Sequence, residues 1–267
     1  ELPRAVLEAL PKLRFIAGTG RAQNHVDIPV ATDLGIPVCG TEGGSSGIST
    51  AELTWGLILA CFRQIPKQND SLRQGKWQTD MGHIVSGKTL GVLGLGRIGT
   101  RVASIGQAFG MSVKAWGPTL TENRAADHGV MYVPWERLFE DADVLTVHAR
   151  LTDTSRGWIT FDELSKMKRT AYLINTARSA LIDQEGLLRA LRTGVIAGAG
   201  LDVFDQEPLQ LGHPLLTLGN VVLTPHLGYA TIETLTEFYE QVIANIKAWQ
   251  IGSPTNILNP EAFRSAS

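Results

Sequence analysis

The chain has 267 residues, with 24 Lys and Arg against 26 Asp and Glu and a formal net charge of −2. That length suits one large or two modest domains, and the balanced charge without a basic block argues against nucleic acid as the main partner. The two cysteines, Cys39 and Cys61, offer neither a disulfide framework nor the spacing of a metal site. They read as small buried apolar residues of a reduced, cytoplasmic protein without a metal. The longest apolar run, residues 53–62, contains Thr54 and Gly56 and is too short to span a bilayer, so no membrane partner is expected. No signal peptide is visible.

Taken in order, the chain opens at Glu1, not Met, directly in Leu2-Pro-Arg-Ala-Val-Leu-Glu-Ala-Leu10, which looks like the middle of a fold. Residues 14–17 and 36–39 read as strands. A long helix is predicted from about Thr50 to beyond Arg63, with Leu53, Leu57, Ala60 and Cys61 on one face. Residues 75–87 are polar and glycine-bearing, as in a crossing segment. A strand over 89–93 then breaks into Gly94-Leu-Gly-Arg-Ile-Gly99. It feeds a helix from near Arg97 whose apolar positions are Ile98, Val102, Ile105 and Phe109. Further strands are predicted at 112–116, 144–148, 171–175, 198–202 and 221–224, with helices between most of them. One helix opens on the capping box Thr160-x-x-Glu163. Another starts near Asp183 and stops at Gly194, a C-terminal glycine cap. A last helix over 231–249 leads into a tail at 254–260.

Short apolar strands alternating with helices specify an α/β fold, a doubly wound parallel sheet covered on both faces. The expected division is discontinuous. Residues 51–230 form a dinucleotide-binding domain of Rossmann type. Residues 1–50 and 231–267 form a smaller domain packed across a cleft.

A strand, a glycine turn and a helix N-terminus together make a pyrophosphate site. Gly94 allows the tight turn, Gly96 lets the backbone approach the phosphates, and Gly99 lets the helix pack close to the strand. The helix start adds free N–H groups and partial positive charge. In such a sheet ligands bind beyond the carboxyl ends of the strands, and three strand ends deliver Arg178, Glu207 and His226 to that edge. An imidazole can carry the proton that must accompany hydride transfer at a carbinol carbon. A carboxylate beside it stabilises its charged form and holds it, and arginine presents a planar fork to a carboxylate or carbonyl oxygen. Each residue alone has an ordinary reading: a surface ion-pair arginine, a solvated loop carboxylate, a structural histidine. Their joint placement favours catalysis. His25, His83, His128 and His213 read as surface or loop residues, and His148 as positioning backbone at the cofactor edge.

The motifs Gly94-Leu-Gly-Arg-Ile-Gly99, Leu173-Ile-Asn-Thr-Ala-Arg178, Gly200-Leu-Asp-Val-Phe-Asp-Gln-Glu-Pro208 and Leu223-Thr-Pro-His-Leu-Gly228 occur in this order. On them the chain resembles the D-isomer-specific 2-hydroxyacid dehydrogenases, over essentially its whole length. The resemblance implies that Arg178 orients the substrate, Glu207 pairs with the histidine and His226 is the acid–base group. It implies that Asp202 lies near the carboxamide end of the cofactor and that backbone of Thr19-Gly20-Arg21 meets the substrate carboxylate. Cofactor contacts are expected from Gly94, Gly96, Arg97, Ile98, Gly99, Gly117, His148, Arg150, Thr176, Ala177, Asp202 and Gly228. The small domain is expected to be flavodoxin-like and N-terminally incomplete, and the long helix after Thr50 to be a homodimer contact. No appended regulatory domain is expected after the tail.

Two departures from the family pattern stand out. Ser179 replaces the usual glycine after the arginine. Gly117, in Ala115-Trp-Gly-Pro-Thr119, stands where an acid usually grips the adenosine ribose of NAD, while Arg150 replaces a common proline and Arg124 is nearby. NAD and NADP are therefore both open: Arg150 contacts a 2′-phosphate, or Thr119 or backbone holds an NAD ribose. The expected function is NAD(P)-dependent interconversion of a 2-keto acid and a (D-)2-hydroxy acid. The alternative is a nicotinamide-sensing binding protein, like the corepressors that share this fold; another Rossmann enzyme such as a methyltransferase fits the three strand-end residues less well.

Overall fold

The computed structural model describes residues 2–21, 23 and 25–263. Glu1 and residues 264–267, assigned above to the small domain, lie outside the described residues. In chain order the elements are α1 (Arg4–Glu8), β1 (Ile16–Ala17), α2 (Ile28–Asp33), β2 (Val38–Cys39), α3 (Ser46–Phe62), α4 (Ile65–Arg73), β3 (Thr89–Leu93), α5 (Arg97–Ala108), β4 (Ser112–Trp116), α6 (Glu122–Ala126), β5 (Met131–Tyr132), α7 (Trp135–Asp141), β6 (Val144–Val147), α8 (Phe161–Lys166), β7 (Tyr172–Asn175), α9 (Gln184–Thr193), β8 (Gly198–Leu201), β9 (Val221–Leu223) and α10 (Ile232–Gln250).

Two compact units result: Gly47–Tyr229, and Glu1–Ser46 with Ala230–Ser267. In the larger unit seven strands form one parallel sheet in the order β5-β4-β3-β6-β7-β8-β9. The strands are short, and the central ones, β3, β6, β7 and β8, are buried on both faces, as a parallel sheet between helical layers requires. One layer is built around Phe139, Leu138, Leu164, Leu173 and Leu187, the other around Trp55, Ile58, Leu90, Val102 and Ile174. Chain order reverses between β3 and β6, which flank each other. That switch point opens a crevice at the carboxyl ends.

In the smaller unit β1 pairs in parallel with β2 over a core of Leu7, Val26, Val30, Ala31, Ile36 and Val38. The tail closes it through buried Asn259: its Oδ1 accepts from Val38 N–H at 2.7 Å, and its Nδ2 donates to Ile36 O and Thr32 Oγ1, both at 3.0 Å.

The helix signals act as their chemistry dictates. Thr160 and Glu163 make the reciprocal capping box of α8. Asp183 caps α9, which ends at left-handed Gly194. Thr231 caps α10. The helix predicted from Thr50 to beyond Arg63 is corrected in two ways. It begins earlier, at Ser46, and it breaks at Gln64, which takes φ +55. Pro66 has no N–H to continue the ladder, so a new helix, α4, starts there. α3 is also buried more widely than one face: Thr54, Trp55, Ile58 and Phe62 are buried with Leu57 and Cys61, while Leu53 and Ala60 are only half-buried. Burial pushes the Cys61 thiol up to about 12, an inert packing group. The two-residue edge strand β5 is too short to show any period.

Candidate active site

β3 ends at Leu93 and the chain turns at once. Gly94 takes φ +98, and a side chain there would come within 2.7 Å of the Ala149 backbone nitrogen. A Cβ at Gly99 would lie 2.1 Å from the Gly94 carbonyl oxygen, so only glycine lets α5 pack onto the turn. A Cβ at Gly96 would meet open space, and Gly96 is the N-cap of the twelve-residue α5. This leaves a cradle floored by free N–H groups, fit for a dinucleotide pyrophosphate. Arg97 and Ile98 begin the helix; the Arg97 side chain lies against Gly47 of α3. The turn is tied to the neighbouring strand ends by Gly94 N–H to Trp116 O and His148 N–H to Leu93 O, both at 2.8 Å. Gly117 comes directly after Trp116, within van der Waals reach of Gly94 Cα.

At the end of β6, the His148 Nε2 lies 2.9 Å from Thr146 Oγ1. His148 keeps some exposed surface, yet packing around its ring pushes its pKa down to about 3. A ring neutral at pH 7 keeps one N–H as a hydrogen-bond donor but is no general acid. Arg150 is exposed, and its carbonyl accepts from buried Ser155 Oγ at 3.0 Å.

The next three strands are in register at their ends, Asn175 beside Leu201 and Leu201 beside Leu223, so the loops that leave them share one edge. After β7, Asn175 braces its own loop: Oδ1 accepts from Ala177 N–H at 2.9 Å and Nδ2 donates to Arg178 O at 3.0 Å. Thr176 is buried and 2.9 Å from Thr54 Oγ1 on α3. Since Thr54 donates to Thr50 O at 2.7 Å, Thr176 is the donor. Arg178 is exposed, with Nη1 donating to Ala177 O at 2.6 Å.

After β8, the Asp202 carboxylate is fully buried. It accepts from Thr224 Oγ1 at 2.6 Å, Leu227 N–H at 2.7 Å and Gly228 N–H at 2.8 Å. Thr50 Oγ1 donates to Gly228 O at 2.9 Å. These bonds hold the turn that presents His226, whose φ of +55 is uncommon outside glycine. His226 Nδ1 sits 2.6 Å from Glu207 Oε2, and Glu207 Oε1 accepts from Phe204 N–H at 2.9 Å. Both side chains remain about a third exposed, 34% and 36%, open to a ligand.

The profile of the D-isomer specific 2-hydroxyacid dehydrogenase NAD-binding domain matches residues 55–228. The chain belongs to that family. It is 40% identical over 266 residues to a glyoxylate reductase of Korarchaeum cryptofilum, covering 97% of this chain and 80% of the relative. It is 38% identical to the D-3-phosphoglycerate dehydrogenase of Rattus norvegicus, covering 98% of this chain but 49% of that longer protein. The solved D-lactate dehydrogenase of Aquifex aeolicus, complexed with NAD and lactic acid, superposes with a TM-score of 0.82 at 30% identity, covering 97% of this chain and 84% of that one. The protein is thus an NAD-binding oxidoreductase of the 2-hydroxyacid class, and the family match does not favour the sensor alternative.

In the smaller unit the Thr19-Gly20-Arg21 loop is internally braced. Gly20 N–H donates to Thr41 Oγ1 at 2.6 Å, and buried Gln23 Nε2 donates to Thr19 O and Gly20 O at 2.9 and 3.0 Å. The Gly20 N–H is therefore committed to Thr41, in the segment after β2. Sequence reasoning missed Thr50, Thr54 and Tyr229. The threonines carry a signal, two hydroxyls four residues apart in an otherwise apolar helix. Tyr229 is marked only by its place directly after Pro225-His-Leu-Gly228.

Proposed function

We propose that this protein reduces a small 2-keto acid of the glyoxylate type to its 2-hydroxy acid, with His226 as the acid–base group. The observation that carries the reading is the His226–Glu207 pair on the same sheet edge as Arg178 and the glycine cradle. With the pyrophosphate of the cofactor in that cradle, its nicotinamide would exchange a hydride with the substrate. Gly94, Gly96, Gly99 and the start of α5 would hold the pyrophosphate, with Ile98, Gly117, His148, Arg150, Thr176, Ala177 and Gly228 beside the rest of the cofactor.

Because Nδ1 of His226 faces the Glu207 carboxylate, Nδ1–H donates there and Nε2 is left to move the proton. On reduction Nε2–H protonates the carbonyl oxygen; on oxidation Nε2 takes the hydroxyl proton. Glu207 fixes the ring and offsets the positive charge of the imidazolium. Arg178 would hold the substrate carboxylate or carbonyl.

NADP use belongs to the same proposal. No acid stands directly after β4: Gly117 occupies that place. The Arg124 guanidinium donates to Thr119 O at 2.8 Å, which keeps a cation over this loop, and Arg150 is exposed at the end of β6. Both support tolerance of a 2′-phosphate. A homodimer is supported by the exposed apolar side chains of Ile65, Leu72, Trp77, Met81 and Ile84 on and after α4, a cluster that a second copy would cover.

The test is oxidation of NADH and of NADPH with a panel of 2-keto acids including glyoxylate. Turnover of glyoxylate with comparable KM values for both cofactors is expected. Cofactor binding without turnover of any acid would overturn the enzymatic reading, and a strong NADH preference would overturn the NADP reading.

A further inference from the structure

We infer that Tyr229 is a positioning residue for the His226 imidazole, a second brace that acts beside Glu207; this rests on the reading of His226 as the acid–base group. The two rings meet edge to face, centroids 5.8 Å apart and planes at 81°, the arrangement that the edge and face charges of aromatic rings favour. Glu207 fixes one atom, Nδ1. A single hydrogen bond leaves the ring free to rock about that bond, and a perpendicular ring in contact with it opposes the rocking. The contact is itself built on a fixed frame. Tyr229 lies three residues beyond His226, and the turn between them is pinned by Asp202 on the N–H groups of Leu227 and Gly228 and by Thr50 on Gly228 O. Both rings therefore start from backbone that the same two side chains hold.

Tyr229 is 41% exposed. Truncating it opens no sealed core cavity, and the effect of its ring on the imidazole is read in kcat. The positional demand is strict, since an acid–base group must keep hydrogen-bond reach of the reacting oxygen.

The experiment compares kcat and KM of the wild-type protein, Tyr229→Phe, Tyr229→Ala and Tyr229→Leu, with His226→Asn as reference. It uses NADH and glyoxylate, or the fastest acid of the panel. Tyr229→Phe is expected within twofold of wild type. Tyr229→Ala and Tyr229→Leu are expected to lose about threefold to tenfold in kcat, with the KM for NADH unchanged. Tyr229→Leu keeps bulk without the ring edge and carries the same test should the alanine variant be insoluble. A truncated variant with wild-type kcat, or a Phe variant as slow as Ala, overturns the proposal. Should His226→Asn retain full turnover, the acid–base reading itself falls; an inactive His226→Asn beside an unaffected Tyr229→Ala removes only the role of Tyr229.

Discussion

The residue that organises the site touches its histidine only through backbone. Asp202 is expected from sequence near the carboxamide end of the cofactor, yet its carboxylate is buried and takes three hydrogen bonds from the turn that carries His226. Two of the donors are backbone N–H groups just past the histidine, so the carboxylate sets where the imidazole begins. Asp202→Asn keeps the shape but turns one acceptor into a donor facing those N–H groups. The expected outcome is a kcat about tenfold lower and a stability loss of about 1–3 kcal/mol, read by steady-state kinetics and urea unfolding. An Asn variant with wild-type kcat would show that the turn holds without the charge. The individual chemistry of Arg178, Glu207 and His226 could be read from residue type and strand position. The bonding of Asp202 could not, because it joins atoms 22–26 positions apart.

Among the elements, α3 does more than fill space. Its buried hydroxyls reach two loops: Thr54 accepts from Thr176, next to the Arg178 loop, and Thr50 holds Gly228 beside His226. Thr54→Val keeps volume but leaves the buried Thr176 hydroxyl without its acceptor. Urea unfolding should show a loss of about 1–3 kcal/mol, with Thr54→Ser close to wild type; a valine variant as stable as wild type would contradict the bond. Periodicity announced α3 and its apolar character, but a single-face reading from Leu53, Leu57, Ala60 and Cys61 could not report a helix packed on most sides. Strands β3 and β4 were legible to the residue because glycine and polar breaks bound them sharply. Of the later strands, β6, β8 and β9 each stop one residue before the predicted end. That shift places His148, Asp202 and Thr224 just past the sheet, in the turns that leave it. α1, α2 and β5 are too short to leave a period at all.

At the scale of the molecule, the sheet concentrates chemistry along one edge, and one group there, His148, is expected to cost stability in acid. His148 has a folded pKa near 3 against 6.5 for the ordinary group. Between those values the unfolded chain binds a proton that the folded one refuses. Its contribution is therefore intact above pH 6.5 and is lost as pH falls toward 3, by at most about 1.4 kcal/mol per pH unit. Urea unfolding at pH 7.5 and 4.5 should show a smaller acid loss for His148→Gln than for wild type; equal losses would contradict a ring held neutral by its packing. The glycine cradle and the three strand-end residues stand within residues 94–226. The central claim is that His226 moves the proton while the cradle binds cofactor independently of it. The most direct measurement is His226→Asn, assayed for keto-acid reduction and titrated with NADH by fluorescence. Turnover is expected to fall about 10²–10⁴-fold with NADH affinity unchanged; turnover near wild type would show that another group moves the proton.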